Sequence, residues 1–373
     1  MRILHVTPLL WSGAGQVITS LCESQVDEGH RLWITTSAPV ANQKDWPTYR
    51  ARLTKAGVSR VRIDTFSRSP ETYWDSVSRL AALIDEIRPD IVHTHAGVPA
   101  ATVADARHRC THRFGFVSHV YSWGENRPHW MNAMDATGHA RADVVICSAT
   151  AYVQILTRAG VAASRIINLP WGLAPSTVGR RSPNRPSPEP GAPQFGFVGR
   201  IEPRKGQLAL VRGFAVARRR LRHARLDLIG PVADEVYAER IRTEIQRRGL
   251  EQAVRLRGRV PDVWSAFDAW DGFVSVSSDE GQGLAILEAM AAGVPVAARV
   301  VAGVEDYFRD GRNGIAIASA RPGDVAVALE ALTDVKQTRR LTRQAHTLIA
   351  RRYAWPRTMS EISRIYAKVL RRR

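Results

Sequence analysis

Short apolar runs alternate with longer amphipathic stretches along nearly the whole chain. Runs at 3–8, 31–36, 58–63, 90–95, 114–120 and 144–147 have the length and bounding residues of strands. Between the first two, Ser12-Gly13-Ala14-Gly15 reads as a turn feeding a helix over 16–28, which Gly29-His30 closes. A second amphipathic pattern, 73–87, stops before Pro89. The segment 182–191 (Ser-Pro-Asn-Arg-Pro-Ser-Pro-Glu-Pro-Gly) is the one clearly proline-rich stretch and reads as an exposed linker or long loop. The pattern then restarts, with strands at 194–199, 225–230, 254–258, 272–277 and 294–300. Helices are expected at 206–224, about 232–248, 284–292 and 356–371. Strand–helix alternation in both halves predicts an α/β chain with two parallel, doubly wound sheets.

Composition narrows the class. A chain of 373 residues has room for two or three domains, and 45% hydrophobic content excludes a disordered polymer. Charges interrupt the longest apolar stretches, as Arg299 does in 291–304, so no membrane-spanning helix is expected. The first residues read directly as a strand rather than a secretion signal. Cys22, Cys110 and Cys147 are few, odd in number and widely spaced. They point to a reducing, cytoplasmic setting and away from a disulfide framework or a zinc site. The net charge of +18 fits anionic partners, nucleotide phosphates or an anionic membrane surface among them, and equally an arginine-rich genome. Arg218-Arg219-Arg220-Leu221-Arg222 and the stretch 364–373 are the candidate membrane-surface patches, consistent with peripheral attachment to the inner face of the cytoplasmic membrane.

The richest chemistry lies in Glu280-Gly281-Gln282-Gly283-Leu284-Ala285-Ile286-Leu287-Glu288-Ala289-Met290. It follows an apolar strand and enters a strong helix former that Gly293 and Pro295 end. Glycines let the backbone approach a ligand, and the helix start offers free N–H groups to an anion. With one carboxylate in the loop and another in the helix, the segment suits a ligand bearing both hydroxyls and phosphates, such as a nucleotide sugar. A second strand–loop–helix, Phe197-Val198-Gly199-Arg200-Ile201-Glu202-Pro203-Arg204-Lys205-Gly206, places cations at another helix start.

Together these strings resemble the retaining GT-B glycosyltransferases of family 4 (glycosyl transferases group 1). The match is most specific over about 195–315. The resemblance implies the GT-B fold, two Rossmann-like domains facing each other across a cleft. An acceptor-binding domain would span 1–180 and a nucleotide-sugar-binding domain 192–352, and a terminal helix, 353–373, would cross back to the first. It also implies roles. Arg200 and Lys205 would bind the donor diphosphate, where fixed cations stabilise charge building on the leaving group; Arg204 is a neighbour that could share that task. Glu280 would hold the donor sugar's hydroxyls and Glu288 the ribose hydroxyls. Gly281, Gly283 and Leu284 would present backbone to the phosphates, and Gly258 would lie beside the base. Gly13 and Gly15 would belong to a glycine-rich loop over the donor, with Ser12 and Gly15 replacing the family's usual glycine and acid. His119, ending a strand, would sit beside the reacting sugar; His93 and His95 read mainly as structural. Residues 123–130, with Glu125, Arg127 and His129, could line the acceptor site. Gln282 stands where the family usually carries an aromatic residue, a departure that bears on sugar preference.

No Asp-x-Asp motif is present, so no metal site is expected and no cofactor is bound permanently. The donor would be a UDP- or GDP-sugar. The implied function is transfer to a hydroxyl of a glycan or lipid-linked glycan acceptor in bacterial envelope synthesis. An alternative is a small soluble metabolite as acceptor. A more remote one is a basic nucleic-acid-binding protein, for which neither aromatic platforms nor a reading helix is evident.

Overall fold

The computed structural model describes residues 1–37, 47–67, 69–121, 123, 129–174 and 192–372. The chain divides into two compact units, Met1–Trp171 with Pro356–Arg373, and Gly172–Trp355. The linker expected at 182–191 lies outside the described residues, as do Glu125 and Arg127.

The first unit runs β1 (Arg2–Val6), α1 (Ser12–Asp27), β2 (Arg31–Thr36), α2 (Pro47–Lys55), β3 (Ser59–Arg62), α3 (Pro70–Ile87), β4 (Ile91–His95), α4 (Gly97–Ala106), β5 (Gly115–Val120), α5 (His129–Ala140), β6 (Val144–Cys147), α6 (Thr150–Arg158) and β7 (Ile166–Asn168). Its strands are all parallel, in the order β3-β2-β1-β4-β5-β6-β7. The second unit runs β8 (Gln194–Val198), α7 (Gln207–Ala217), β9 (Arg225–Ile229), α8 (Glu235–Arg247), β10 (Val254–Gly258), α9 (Val263–Ala269), β11 (Gly272–Ser275), α10 (Leu284–Ala291), β12 (Val296–Ala298), β13 (Ile315–Ala316), α11 (Pro322–Ala331) and α12 (Val335–Arg352). Its sheet is also parallel, in the order β10-β9-β8-β11-β12-β13. The last helix, α13 (Trp355–Arg371), turns Met359, Ile362, Tyr366 and Val369 into the first unit's core at spacings of three and four.

Both sheets reverse direction once, between β1 and β4 and between β8 and β11. In a doubly wound sheet the loops leaving the strands at that reversal splay to opposite faces, and a ligand crevice opens between them. The central strands are buried on both sides, which is why β4 buries even His93, Thr94 and His95.

Several boundaries differ from those the sequence suggests. Residues 12–15 are not a turn before α1 but its first turn. The Gly15 amide donates to the Trp11 carbonyl, and Ser12 takes the left-handed φ of 53° at the entry. Glycine is required at 15 for space: a Cβ there would lie 2.8 Å from the Leu10 carbonyl carbon and 2.9 Å from the Tyr49 ring. The helix expected over 206–224 ends at Ala217, because the arginine run beyond it offers little for the core. Arg219, Arg220 and Arg222 are exposed on turns. The strand expected over 294–300 shortens to β12, after Pro295, which has no N–H for the ladder.

Gly230 shows how tightly the second sheet backs its loops. It ends β9 at φ 146°, and a Cβ there would lie 1.9 Å from the Gly199 carbonyl oxygen. Strain and overpacking together predict that Gly230→Ala costs about 3 kcal/mol or more. A urea titration against the unaltered chain checks this.

Candidate active site

At the second unit's reversal point, the loops after β8 and β11 meet. Gly199 hydrogen-bonds through its amide to Ile229, and Ile201 to Pro231, so Arg200 is held between two fixed peptides. A short helical turn, Pro203–Lys205, follows and hands over to α7 through Gly206 in the left-handed region at φ 72°. A Cβ on Gly206 would meet the Val276 carbonyl oxygen at 2.6 Å, so that glycine is what lets this loop lie against the segment leaving β11. The fully buried Gln207 donates to the Arg200 carbonyl at 2.7 Å, and the Ser278 amide donates to the Arg204 carbonyl at 2.8 Å, stitching the two loops together.

Charges gather there in alternation. Lys205 Nζ lies 2.6 Å from Glu280 Oε1, with side chains only 12% and 13% exposed. Glu202 accepts from both Arg200 at 3.0 Å and Arg204 at 2.6 Å, and Arg204 reaches Asp279 at 3.3 Å. Burial is the largest single influence on Glu280 and would raise its pKa. The charge and hydrogen bond of Lys205, the Ser277 hydroxyl and Arg204 outweigh it and hold the carboxyl below its ordinary range. Burial lowers the Arg200 guanidinium, partly offset by Glu202. Burial would also lower Arg204, but Glu202 and Glu280 hold it above its ordinary value. Glu280 is therefore an anion at neutral pH, fit to accept hydrogen bonds and unfit to donate a proton.

The loop then rises into α10. Gly283 takes φ 70° as the residue before the helix and, as a glycine, has no side chain to cap the N–H groups that follow. A helix start with uncapped donors favours an anion. The loop rests on Gly303, where a Cβ would lie 2.5 Å from the Gly281 carbonyl oxygen and 2.6 Å from that of Glu280. Tyr307 closes the other side, 3.4 Å from the Gly283 carbonyl. Ile286, Leu287, Ala289, Met290 and Ala291 face the core, so the half-buried strip is Leu284, Ala285 and Glu288. Glu288 thus shares a face with the open helix start. Gln282 is buried. Gly258 ends β10 at φ 61° with nothing near its missing Cβ, so backbone conformation, not space, calls for glycine there.

The structure brings together Arg200, Lys205 and Glu280 in one ion-paired cluster, with Gly281, Gly283 and Leu284 on the loop and helix leaving it. It adds Glu202, Asp279, Ser277, Gly303 and Tyr307. Sequence reasoning assigned Glu202 no role, although an acid two residues after Arg200 was the signal that could have found it; Gly303 and Tyr307 carry no local signal.

In the first unit, His119 is fully buried at the end of β5. Its ring stacks on Tyr121 and on Trp171, each at 4.6 Å between centroids. Neither ring nitrogen has a hydrogen-bond partner among the described residues. Burial, with a smaller contribution from the charge of His139, keeps its pKa well below the ordinary value, so the ring is neutral. Gly13 and Gly15 lie in the first turn of α1, after β1. Trp123 is buried beside His139, whereas His129 and Trp130 open α5 and are exposed.

Comparisons with known proteins follow the same division. Residues 192–334 match the family described as glycosyl transferases group 1, and residues 11–177 match glycosyltransferase family 4. A D-inositol 3-phosphate glycosyltransferase of Paenarthrobacter aurescens (strain TC1) is 34% identical over 167 residues, 43% of this chain. That match spans only 40% of the relative's own length. Among solved structures, Anabaena Alr3699/HepE in complex with UDP and glucose superposes with a TM-score of 0.82 at 18% identity, covering 99% of this chain and 100% of that one. Sucrose-phosphate synthase from Thermosynechococcus elongatus gives 0.80 at 18% identity, with both chains fully covered. At such identities the likeness establishes the fold, which is of the GT-B type.

Proposed function

The chain belongs to the group 1 glycosyltransferases of family 4, and we propose that it moves a sugar from a nucleotide-sugar donor to an acceptor hydroxyl with retention of anomeric configuration. The observation that carries this reading is the Lys205–Glu280 pair, flanked by Arg200, at the foot of the uncapped start of α10. Arg200 and Lys205 take the diphosphate, the guanidinium forking to two oxygens and the ammonium acting as a point charge. The α10 N–H groups share that charge. Glu280, held ionised, accepts from the sugar's hydroxyls, and Glu288 from the ribose; Gly258 lies beside the base. His119 is the reading's contact to the reacting sugar.

In the reaction the bond from the sugar's anomeric carbon to the phosphate oxygen breaks, its electron pair leaving with the diphosphate. The acceptor oxygen bonds to the same carbon from the same face, and its proton passes to the departing phosphate oxygen. The side chains contribute stabilisation of the growing phosphate charge and fix the geometry. A UDP- or GDP-sugar fits as donor, with the UDP bound to the Anabaena protein favouring the former.

For the acceptor, the leading reading is a glycan or lipid-linked glycan of the bacterial envelope, reached from the cytoplasmic side. No helix among the described residues is long and apolar enough to cross a membrane, so attachment would be peripheral, through basic patches such as Arg219, Arg220 and Arg222. A second reading, a small soluble metabolite such as a phosphorylated polyol, is favoured by the D-inositol 3-phosphate glycosyltransferase of Paenarthrobacter aurescens.

A thermal-shift series with UDP-, GDP-, ADP- and dTDP-sugars tests the donor. Donor at 100 times its Kd adds about 2.7 kcal/mol to the native state, so one nucleotide class should raise the melting temperature by several degrees. No shift with any of them removes the proposal. Co-sedimentation with anionic vesicles, lost at high salt, separates the membrane-linked acceptor from the soluble one.

A further inference from the structure

The first sheet carries a second cluster that the transfer reaction does not use. His5 on β1 and His93 on β4 are register partners, and His95 lies two residues further on the same face of β4. All three side chains are buried. We propose that His5, His93 and His95 form a site for one divalent late-transition ion of the zinc or cobalt type. Its role would be to tie β1 to β4 rather than to take part in sugar transfer.

One nitrogen from each ring lies within 4.8 Å of the others. His5 Nδ1 and His95 Nε2 are 2.9 Å apart. Two imidazole nitrogens on a tetrahedral ion at ~2.0–2.1 Å stand about 3.3 Å apart, so this pair needs to open by a few tenths of an ångström. Of the His93 nitrogens, Nδ1 meets Tyr366, whereas Nε2 is buried with no hydrogen-bond partner among the described residues, which leaves Nε2 to complete the set.

The opposite edge of each ring is already engaged. His5 Nε2 donates to Gln25 Oε1 at 2.8 Å, which leaves Nδ1 as the lone-pair nitrogen. His93 Nδ1 is 2.8 Å from the Tyr366 hydroxyl, and His95 Nδ1 is 2.8 Å from the Tyr121 hydroxyl. Gln25 also donates to Tyr366 at 3.2 Å, linking α1 and α13 through one network. Outer partners of this kind aim the inner nitrogens, as they do around metal-bound imidazoles, and the Tyr121 hydroxyl, able to donate or accept, lets His95 move its proton from Nε2, where it bridges to His5 Nδ1, to Nδ1 as an ion enters. Three imidazoles with no carboxylate select zinc, cobalt, nickel or copper over magnesium or calcium.

The test uses the full chain without a polyhistidine tag. The protein is stripped with chelator, incubated with Co²⁺ or Zn²⁺ and gel-filtered, and the retained metal is measured by mass spectrometry. About one ion per chain, with a raised melting temperature, is the expected result. His93→Gln should retain none, while the exposed control His108→Gln retains the full amount. Tyr366→Phe, which keeps the ring, should weaken binding by about 10–100-fold, so the test survives if His93→Gln misfolds. No retained metal in the unaltered chain, or equal retention in a folded His93→Gln, would overturn the proposal and leave the trio as a neutral hydrogen-bonded cluster. A sulfur-to-cobalt charge-transfer band would place the ion on a cysteine and overturn it equally.

Discussion

Lys205→Met should lower kcat/KM for sugar transfer by about 10²–10³-fold, the effect of removing one fixed donor from a site where transition-state charge builds. Glu280→Gln should lose a comparable amount through the sugar hydroxyls. The two substitutions will also reveal each other, because the side chains meet at 2.6 Å with little solvent between them. Either single change removes the closest partner of a partly buried charge, and each should cost about 2–3 kcal/mol of stability, below the range for fully buried pairs. The double variant should cost clearly less than the sum of the two. A double-mutant cycle by denaturant titration, run beside donor-binding isotherms, measures both. Additive stability losses would mean that the pair does not form in solution. A Lys205→Met enzyme with unchanged kinetics would remove the lysine from the diphosphate site.

The second unit's candidate site could be proposed from sequence because its chemistry is contiguous: two strand–loop–helix segments each carry their own glycines, charges and helix start. Glu280 and Lys205 are 75 residues apart, yet the alternating pattern already puts both loops at strand ends, and the parallel order β8-β11 then makes them neighbours. Gly303 and Tyr307 were not legible. They matter only because the chain returns beneath the Glu280–Gly283 loop, and nothing in their own surroundings marks that return. The first unit was harder to read. Its histidines sit on three strands, and read singly each looks like an ordinary core residue. Only the register, His5 opposite His93 and His95 opposite His119, turns them into one buried aromatic layer. Local propensity also misplaced the start of α1. Its first turn is set by the fit of Gly15 against Leu10 and Tyr49, a tertiary contact that glycine's poor helix propensity argues against.

His119 offers the sharpest separation of function from stability. A buried imidazole whose two nitrogens have no partner among the described residues costs the fold free energy, and a purely structural position would be better filled by an apolar ring. Its neighbours are already suited to one, since Tyr121 and Trp171 each stack on it at 4.6 Å. His119→Phe should therefore leave stability within about 1 kcal/mol of the unaltered chain, the orphaned nitrogens removed offsetting the slightly larger ring. Transfer should fall by about 10²-fold or more, because no atom remains to hydrogen-bond the reacting sugar. The sign of the pH dependence follows from the lowered pKa: the ring is already neutral at pH 7 and gains no proton until the pH falls well below the ordinary histidine value. The rate profile between pH 6 and 8 should accordingly show no inflection that His119→Phe abolishes. Equal losses of melting temperature and activity would instead make His119 a packing residue and move the sugar contact elsewhere in the unit.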